Sequence, residues 1–501
     1  MDARAQERPA GSTGRPGPAG PGAPKQNRPI WFSGLRYAAA SAALLIPCFW
    51  QERIQAGDLG SHIYNAWLAE LIRRGQAPGL SLAAQATNVL FDLLLGALFR
   101  AVGAAAAERI AVGLAVLVLV WGAFAFLAAA ARRSWALLPV LAILAYGWVF
   151  HMGFFNFYLS LGLCFWALAL AWNLAPRRVL AAVPILALAY TAHGLPVAWA
   201  CAVVVYLWIA RRLPEKRGHL LLTALVALVA AHIAMTATGR TIWNVRQVQS
   251  VAGADQAWVY DDKYLAIASG LLVLMAAMIA EGILRHGARR VTGGRLLDVF
   301  ALSAAGAFLL PSFVWLPGYE RALLFIAERM SLALGVVMAA LAATDAARRW
   351  HAWAAGALAA AFFLFLYTDE RALNGLERRI AAAAKQLPLG ARVVTNAHVN
   401  LRVNTLSHML DRACIGRCYS YANYEAPSGQ FRIRVTGPTP IVEPTGAQAL
   451  HMEKGEAPVE ARELPLYRIS IAPGGTEVMV DSMRAGERVG ISEWKGWRER
   501  R

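Results

Sequence analysis

Residues 57–79 read GDLGSHIYNAWLAELIRRGQAPG and follow directly on an apolar stretch, Leu35–Trp50. They are too polar to cross a bilayer and too regularly patterned for a slack connection. Wound as a helix at about 100° per residue, Asp58, Ser61, His62, Asn65 and Arg73 fall in one polar sector. Leu59, Ile63, Tyr64, Trp67, Leu68 and Leu71 fill the other side, with Glu70 the exception. The pattern predicts a helix lying on a membrane surface with its polar edge turned toward something else.

The rest of the chain supplies the membrane. Of 501 residues, 58% are hydrophobic and 16% charged, and the mean hydropathy is +0.43; soluble globular chains lie well below this. The net charge of +18 does not call for nucleic acid, because the basic residues stand in short clusters between apolar runs. These clusters are Arg132-Arg133, Arg177-Arg178, Arg211 to Arg217, Arg285 to Arg290, and Arg348-Arg349. Each neighbouring pair is separated by enough apolar sequence for two passes, so all five can face the cytoplasm.

Spans are read at Leu35–Trp50 and near 109–131, 135–151, 154–173, 179–193, 195–210, 219–238, 263–284, 296–316, 327–346 and 351–367. The expected fold is mainly α, a polytopic membrane helix bundle of about eleven spans. The N-terminus is inside, and a small C-terminal extracytoplasmic α/β domain, 368–501, is outside. Residues 1–30, rich in Pro, Gly and Arg, read as a disordered cytoplasmic tail, and 31–367 as the transmembrane domain. Residues 86–104 are apolar, but counting them as a crossing would put every later basic cluster outside. They are read as an interfacial or re-entrant helix within an outer loop over 51–108.

In that topology several polar residues reach the same outer leaflet. His151 and Asn156 lie in the turn VFHMGFFNFYLSLGL, His193 lies in LAYTAHGLPVAW, and Glu328-Arg329 open a late span. Ionisable groups at lipid depth are costly unless paired or facing water, so their convergence with Asp58 points to a site. Plainer readings stand beside this one. Asp58 is also a good N-cap, a helix-end histidine also caps carbonyls, and Arg329 also suits a snorkelling interfacial arginine.

The large first outer loop resembles that of the GT-C superfamily of integral membrane glycosyltransferases, which includes lipid A aminoarabinose transferases and protein O-mannosyltransferases. AGDLGSHIYNAWLAELIRRGQAPG matches the position and style of their acidic loop segment. FDLLLGALFRAVGAAAAERIAVGLAVLVLVWGAFAFLAAAARR resembles their second loop helix and the span after it. The resemblance implies a polyprenyl-phosphate sugar donor, a glycan, lipid or protein acceptor, and Asp58 as catalytic carboxylate, acting as base or as ligand to a divalent metal ion. The second acidic residue that many relatives carry is represented in this loop by Glu70 and Asp92.

A lipid phosphate needs a fixed cation, for which Arg329 is the candidate. His62, Asn65, Asp92, His151, Asn156, His193 and Glu328 are the other candidate substrate contacts, with Arg240 and Arg246 from the outer loop 239–262. That loop's Trp243, Trp258 and Tyr260 suit either an interfacial belt or sugar stacking. No Gly-rich phosphate loop, Ser-His-Asp order or zinc-protease helix is present, which disfavours a nucleotide-sugar donor. A transporter or flippase of a lipid-linked substrate and a non-catalytic envelope assembly protein are the rival classes.

Beyond Asp369, LERRIAAAAKQLPLGARVVT reads as helix, Pro-Gly turn and strand, while QFRIRV, LYRISIA and TEVMV alternate as strands do. His408, Asp411, Cys414 and Cys418 follow at spacings of three, three and four. They fit a metal site on one helix face, a Cys414–Cys418 disulfide, or free thiols. The disulfide requires Gly416 to break the helix, because helical i, i+4 Cβ atoms are about 5–6 Å apart and a disulfide spans about 3.5–4.5 Å.

Overall fold

The computed structural model describes residues 30–288, 294–317, 322–403, 405–472 and 475–497. The N-terminal tail up to residue 29 and two arginines of the fourth basic cluster, Arg289 and Arg290, lie outside the described residues. Two compact units divide after Ala43. The first holds most of the helix Ile30–Leu45, and the second, from Leu44 onward, contains the site and the layers around it.

The protein is mainly helical, and six helices among the described residues are long and apolar enough to cross a bilayer. They are Ala104–Ala130, Trp135–Met152, Gly194–Arg212, Pro214–Ala237, Lys263–His286 and Arg349–Ala384. The segments Gly34–Cys48 and Phe155–Ala171 are shorter apolar helices. Composition and number make this a multi-pass membrane protein. The helix Arg217–Ala237 buries no residue at all and exposes Leu222, Val226, Val229 and Ile233, an apolar surface suited to acyl chains rather than water.

Basic clusters meet at shared helix ends. Arg211 donates to the carbonyl of Asn173, Arg217 pairs with Asp298 and donates to the carbonyl of Gly294, and Arg285 pairs with Asp345. Arg348 reaches Glu281 in the same group.

The segment 86–104 contains a helix of 13 residues, Leu90–Val102, about 20 Å long at 1.5 Å per residue and too short to cross. Gly103, at φ +78°, turns the chain into the long apolar helix Ala104–Ala130.

Two expectations are corrected. The span predicted over 351–367 does not stop there: one helix runs from Arg349 to Ala384, because nothing in TDERALNGLERR breaks it. Its C-terminal half carries Glu370, Asn374 and Glu377 at helical spacing, and these bind the start of the loop 51–108. Trp50 Nε1 donates to Glu370 Oε2 (2.6 Å), Arg53 N to Asn374 Oδ1 (2.8 Å) and Gln55 Nε2 to Glu377 Oε2 (2.7 Å). Residues 50–55 are thereby laid along the long helix, and Asp58 is delivered to its place.

Nor is the C-terminal region an appendage. Its core sheet runs in the order Val478–Ser482, Leu466–Ile471, Ala391–Thr395, Cys418–Ser420, the first pair antiparallel and the others parallel. Val394, Tyr421, Met452, Leu466 and Val489 pack in its own hydrophobic core. Yet the strand Ile433–Val435 pairs antiparallel with Leu80–Leu82 of the outer loop, and the helix Met409–Cys414 packs on the helix Leu59–Arg73. Outer loop and C-terminal region are one folded layer.

Cys414 and Cys418 form a disulfide. The helix ends at Cys414 and Gly416 takes φ +74°, the break that the bond requires. The pairing removes both sulfurs from any metal set. Reduction, or Cys414→Ser, is expected to destabilise the C-terminal layer by about 2 kcal/mol, from the loop-closure entropy of so short a ring. A thermal-shift comparison with and without reductant checks this, the Cys414→Ser protein showing no further response to reductant.

Candidate functional site

The helix Leu59–Arg73 is buried on almost every side, not laid on lipid as its wheel implied. Its apolar stripe is covered by protein: Tyr64 Oη accepts from Ser420 N (3.0 Å), and Trp67 stacks on Tyr419 with centroids 5.9 Å apart. Its polar sector is spoken for as well. Ser61 Oγ donates to Glu425 Oε1 (2.9 Å), Asn423 Nδ2 to Asn65 Oδ1 (2.8 Å), and Asn65 Nδ2 to Ser61 Oγ (3.2 Å).

Asp58 sits at the N-cap position of this helix but does not cap it. Its backbone is already helical, φ −73° and ψ −7°, and its side chain accepts none of the free N–H groups, since capping uses an extended backbone. The chain is instead fixed by its neighbours: Gly57 N donates to His151 O (2.6 Å) and Asp58 N to Met152 O (3.0 Å). The approach is so close that a Cβ on Gly153, already at φ +84°, would lie 2.4 Å from Asp58 N. A Cβ on Gly60 would lie 2.1 Å from the carbonyl oxygen of His408. The Asp58 carboxylate, a third exposed, is left facing a cavity.

That cavity has a volume of about 460 Å³ and is lined by Asp58, His62, Asn156, His193 and Arg329, with His408, Tyr424 and Glu425 from the C-terminal layer. This size suits a small polar group and its immediate attachment. His193 both lines it and caps a helix, its Nδ1 accepting from Leu195 N (3.2 Å). Arg329 lies 3.7 Å above the Phe154 ring. Its Nε is buried without a hydrogen-bond partner, and among the described residues its guanidinium has no ion pair.

Two imidazole–carboxylate pairs flank Asp58. His62 Nδ1 lies 2.6 Å from Asp92 Oδ1, and Asn156 Nδ2 donates to Asp92 Oδ2 (2.7 Å) while its Oδ1 accepts from Phe91 N. Burial works against charge on His62, but Asp92, Glu425 and Asp58 outweigh it and raise the imidazole to about 9. Burial likewise pushes Asp92 up, but His62 and Asn156 prevail and hold its carboxyl below the usual range. The second pair is His408 Nδ1 with Asp411 Oδ2, 2.7 Å apart. Burial lifts Glu425 to about 7, with His62 opposing the rise. A carboxyl near neutrality between two charged imidazoles is well placed to exchange a proton.

Other expected residues lie elsewhere. His151 is fully buried behind the cavity, its Nδ1 2.9 Å from Gln55 O and 3.0 Å from Tyr260 Oη; it contributes a carbonyl that holds Gly57, not a side chain to the cavity. Asp92 opens on a smaller adjoining pocket with Asn65 and reaches the main cavity only through His62 and Asn156. Glu328 turns away, its Oε1 accepting from Ser312 Oγ (2.7 Å). Arg240 and Arg246 are exposed and line no part of the cavity; their loop is anchored on the C-terminal end of the helix Arg295–Leu309, through Trp243 Nε1 to Phe308 O and Gln247 Nε2 to Leu310 O.

Glu425 and Tyr424 were invisible to pattern reading, since nothing local in NYEAPSG distinguishes a site carboxylate from a loop one. His408 and Asp411 carried a signal, their i, i+3 spacing beside a cysteine pair, but it fitted a metal site only as one of three alternatives and said nothing of Asp58. Among the described residues no group of three or more His, Cys, Asp or Glu is placed to hold a metal ion. Compared with protein-family models, curated proteins and solved structures, the chain matches none of them, so the reading of the site rests on its own geometry.

Proposed function

We propose that the protein is a glycosyltransferase that moves a sugar from a polyprenyl-phosphate donor to an acceptor at the outer face of a bacterial inner membrane, with Asp58 as general base. The observation that carries this reading is the pairing within one cavity of a carboxylate that accepts no capping hydrogen bond and an arginine that has no ion-pair partner among the described residues. A guanidinium that lacks an ion-pair partner and whose Nε is shut off from water is costly to keep unless something anionic arrives to meet it, and a phosphate at a lipid interface has that charge and reach.

In this scheme the acceptor O–H or N–H gives its proton to Asp58 as the acceptor atom bonds the anomeric carbon. The bond from that carbon to the phosphate oxygen breaks, and its electron pair leaves with the phosphate beside Arg329. Ionisable groups gathered at helix ends, rather than at the midplane, fit an interfacial enzyme better than a transporter. The finer topology belongs to the same proposal: about eleven crossings, N-terminus inside, outer loop and C-terminal layer outside. Basic clusters meeting at common helix ends support it, as does a disulfide of the kind that oxidising compartments allow.

Binding of a short-chain polyprenyl phosphate to the full chain in nanodiscs tests the donor half. Arg329→Ala is expected to weaken binding roughly 10–100-fold, the worth of one charge-assisted hydrogen bond to phosphate, with Arg329→Lys intermediate. Equal binding by wild type and Arg329→Ala, or no saturable binding by either, would count against the reading.

A further inference from the structure

His408 stands at the start of the helix Met409–Cys414 with its two ring nitrogens differently placed. Nδ1 is fixed by Asp411 Oδ2 at 2.7 Å, and Asp411 Oδ1 accepts in turn from Ser420 Oγ. With both carboxylate oxygens engaged, Asp411 sets the plane of the imidazole, as a hydrogen-bonded carboxylate orients a histidine in metal and triad sites. Nε2 points the other way and lies 3.8 Å from Asp58 Oδ1. The residue is 9% exposed and belongs to two cavities at once, the main one and a second of about 310 Å³ within the C-terminal layer.

We propose that His408 is the positioning residue for Asp58: its imidazolium, oriented by Asp411, presents an N–H toward the Asp58 carboxylate and keeps it turned into the cavity. The C-terminal layer is then part of the active site and not merely its cover. The geometry stands by itself, whereas the consequence for rate rests on the glycosyl-transfer reading.

The charges around the ring are consistent with a cation. Asp58 faces it from the outer loop, Glu425 and Glu453 line the same cavity from the C-terminal layer, and Arg329 does so from the helix Ile326–Ala342; the Tyr424 ring lies 6.0 Å away. Burial disfavours the charge, but Asp411, Asp58 and Glu453 outweigh it and raise His408 to about 9 from 6.5. A raised value means that the cation is complete below the ordinary histidine range and is lost as pH rises through about 9. The alternative role, a His–Asp pair that only folds its own helix, would not depend on Asp58.

The experiment uses the full chain in nanodiscs with ¹⁵N-labelled histidine, the His408 signals being assigned with His408→Gln. In the wild type both ring nitrogens should stay protonated until about pH 9. Asp411→Asn should bring the transition down toward ~6.5, and Asp58→Asn should lower it by roughly half a unit or more. In transfer assays, His408→Gln should reduce kcat roughly 10–100-fold, leave KM for the lipid donor within about twofold, and abolish the loss of rate on the alkaline side. An identical His408 transition in wild type and Asp58→Asn would overturn the proposal, as would an unchanged kcat and alkaline limb in His408→Gln. If the wild type transfers no sugar at all, the glycosyl-transfer reading fails, and the titration comparison alone still decides whether His408 serves Asp58.

Discussion

Asp58→Asn should abolish sugar transfer, lowering kcat by roughly 10²–10⁴-fold, the range expected when a general base is removed, while binding of the lipid phosphate stays within about twofold. The substitution is nearly isosteric, and the carboxylate accepts no capping hydrogen bond that the helix depends on. The backbone bonds that place the residue, from Gly57 N and Asp58 N to the 151–152 turn, are untouched. Loss of a base without loss of the donor site therefore lowers kcat rather than affinity. The measurement pairs transfer from lipid-linked sugars in membrane vesicles with polyprenyl-phosphate binding. A protein that only scaffolds an assembly would tolerate the change, and a flippase would show its defect in translocation instead.

Arg412→Met should be the most damaging single change to the fold. Arg412 is 8% exposed and joins three parts of the chain. It donates to Glu377 on the long helix at 3.0 and 3.2 Å and to the carbonyl of Ile54 at 3.1 Å, and its Nε lies 3.2 Å from Glu108 Oε2. Glu108 is 3% and Glu377 4% exposed, so removal of the guanidinium strands two buried carboxylates, one of them still accepting from Gln55. Breaking one side of a buried ionic group costs about 3–5 kcal/mol, read here as a fall in melting temperature of roughly 3–5 °C and earlier proteolysis of the C-terminal layer. Adding Glu108→Gln and Glu377→Gln to Arg412→Met should recover much of the loss, because the cost comes from stranded charge and not from missing volume.

The two experiments probe different links in one chain of cause. Arg412 fixes the helix Met409–Cys414 against the membrane helices, and that helix sets His408 beside Asp58. A partial defect in transfer is therefore expected of Arg412→Met even at temperatures where it remains folded, whereas Asp58→Asn should lower melting far less than Arg412→Met, by the small linkage cost of weakening the His408 cation.

Much of this was legible without coordinates. Apolar runs of bilayer length and charge clusters between them require a multi-pass helical protein, because a backbone in lipid must satisfy its own hydrogen bonds. The helix after Asp58 and the strands beyond Ala391 follow from local spacing and the demotion of 86–104 from charge parity, whereas the Cys414–Cys418 bond was one of three readings that the spacing left open. The expected topology puts Asp58, His151, Asn156, His193, Glu328 and Arg329 at one level; the cavity is lined by Asp58, Asn156, His193 and Arg329, while the side chains of His151 and Glu328 find partners elsewhere. What local pattern could not decide was which surface covers an apolar stripe. The wheel of Leu59–Arg73 is satisfied alike by lipid and by Tyr419 and Ser420, and only the pairing of Leu80–Leu82 with Ile433–Val435 brings the C-terminal layer over it. Packing between segments so far apart in the chain leaves no periodicity to read. Hence Glu425 and the aim of His408 at Asp58 belong to the tertiary structure alone.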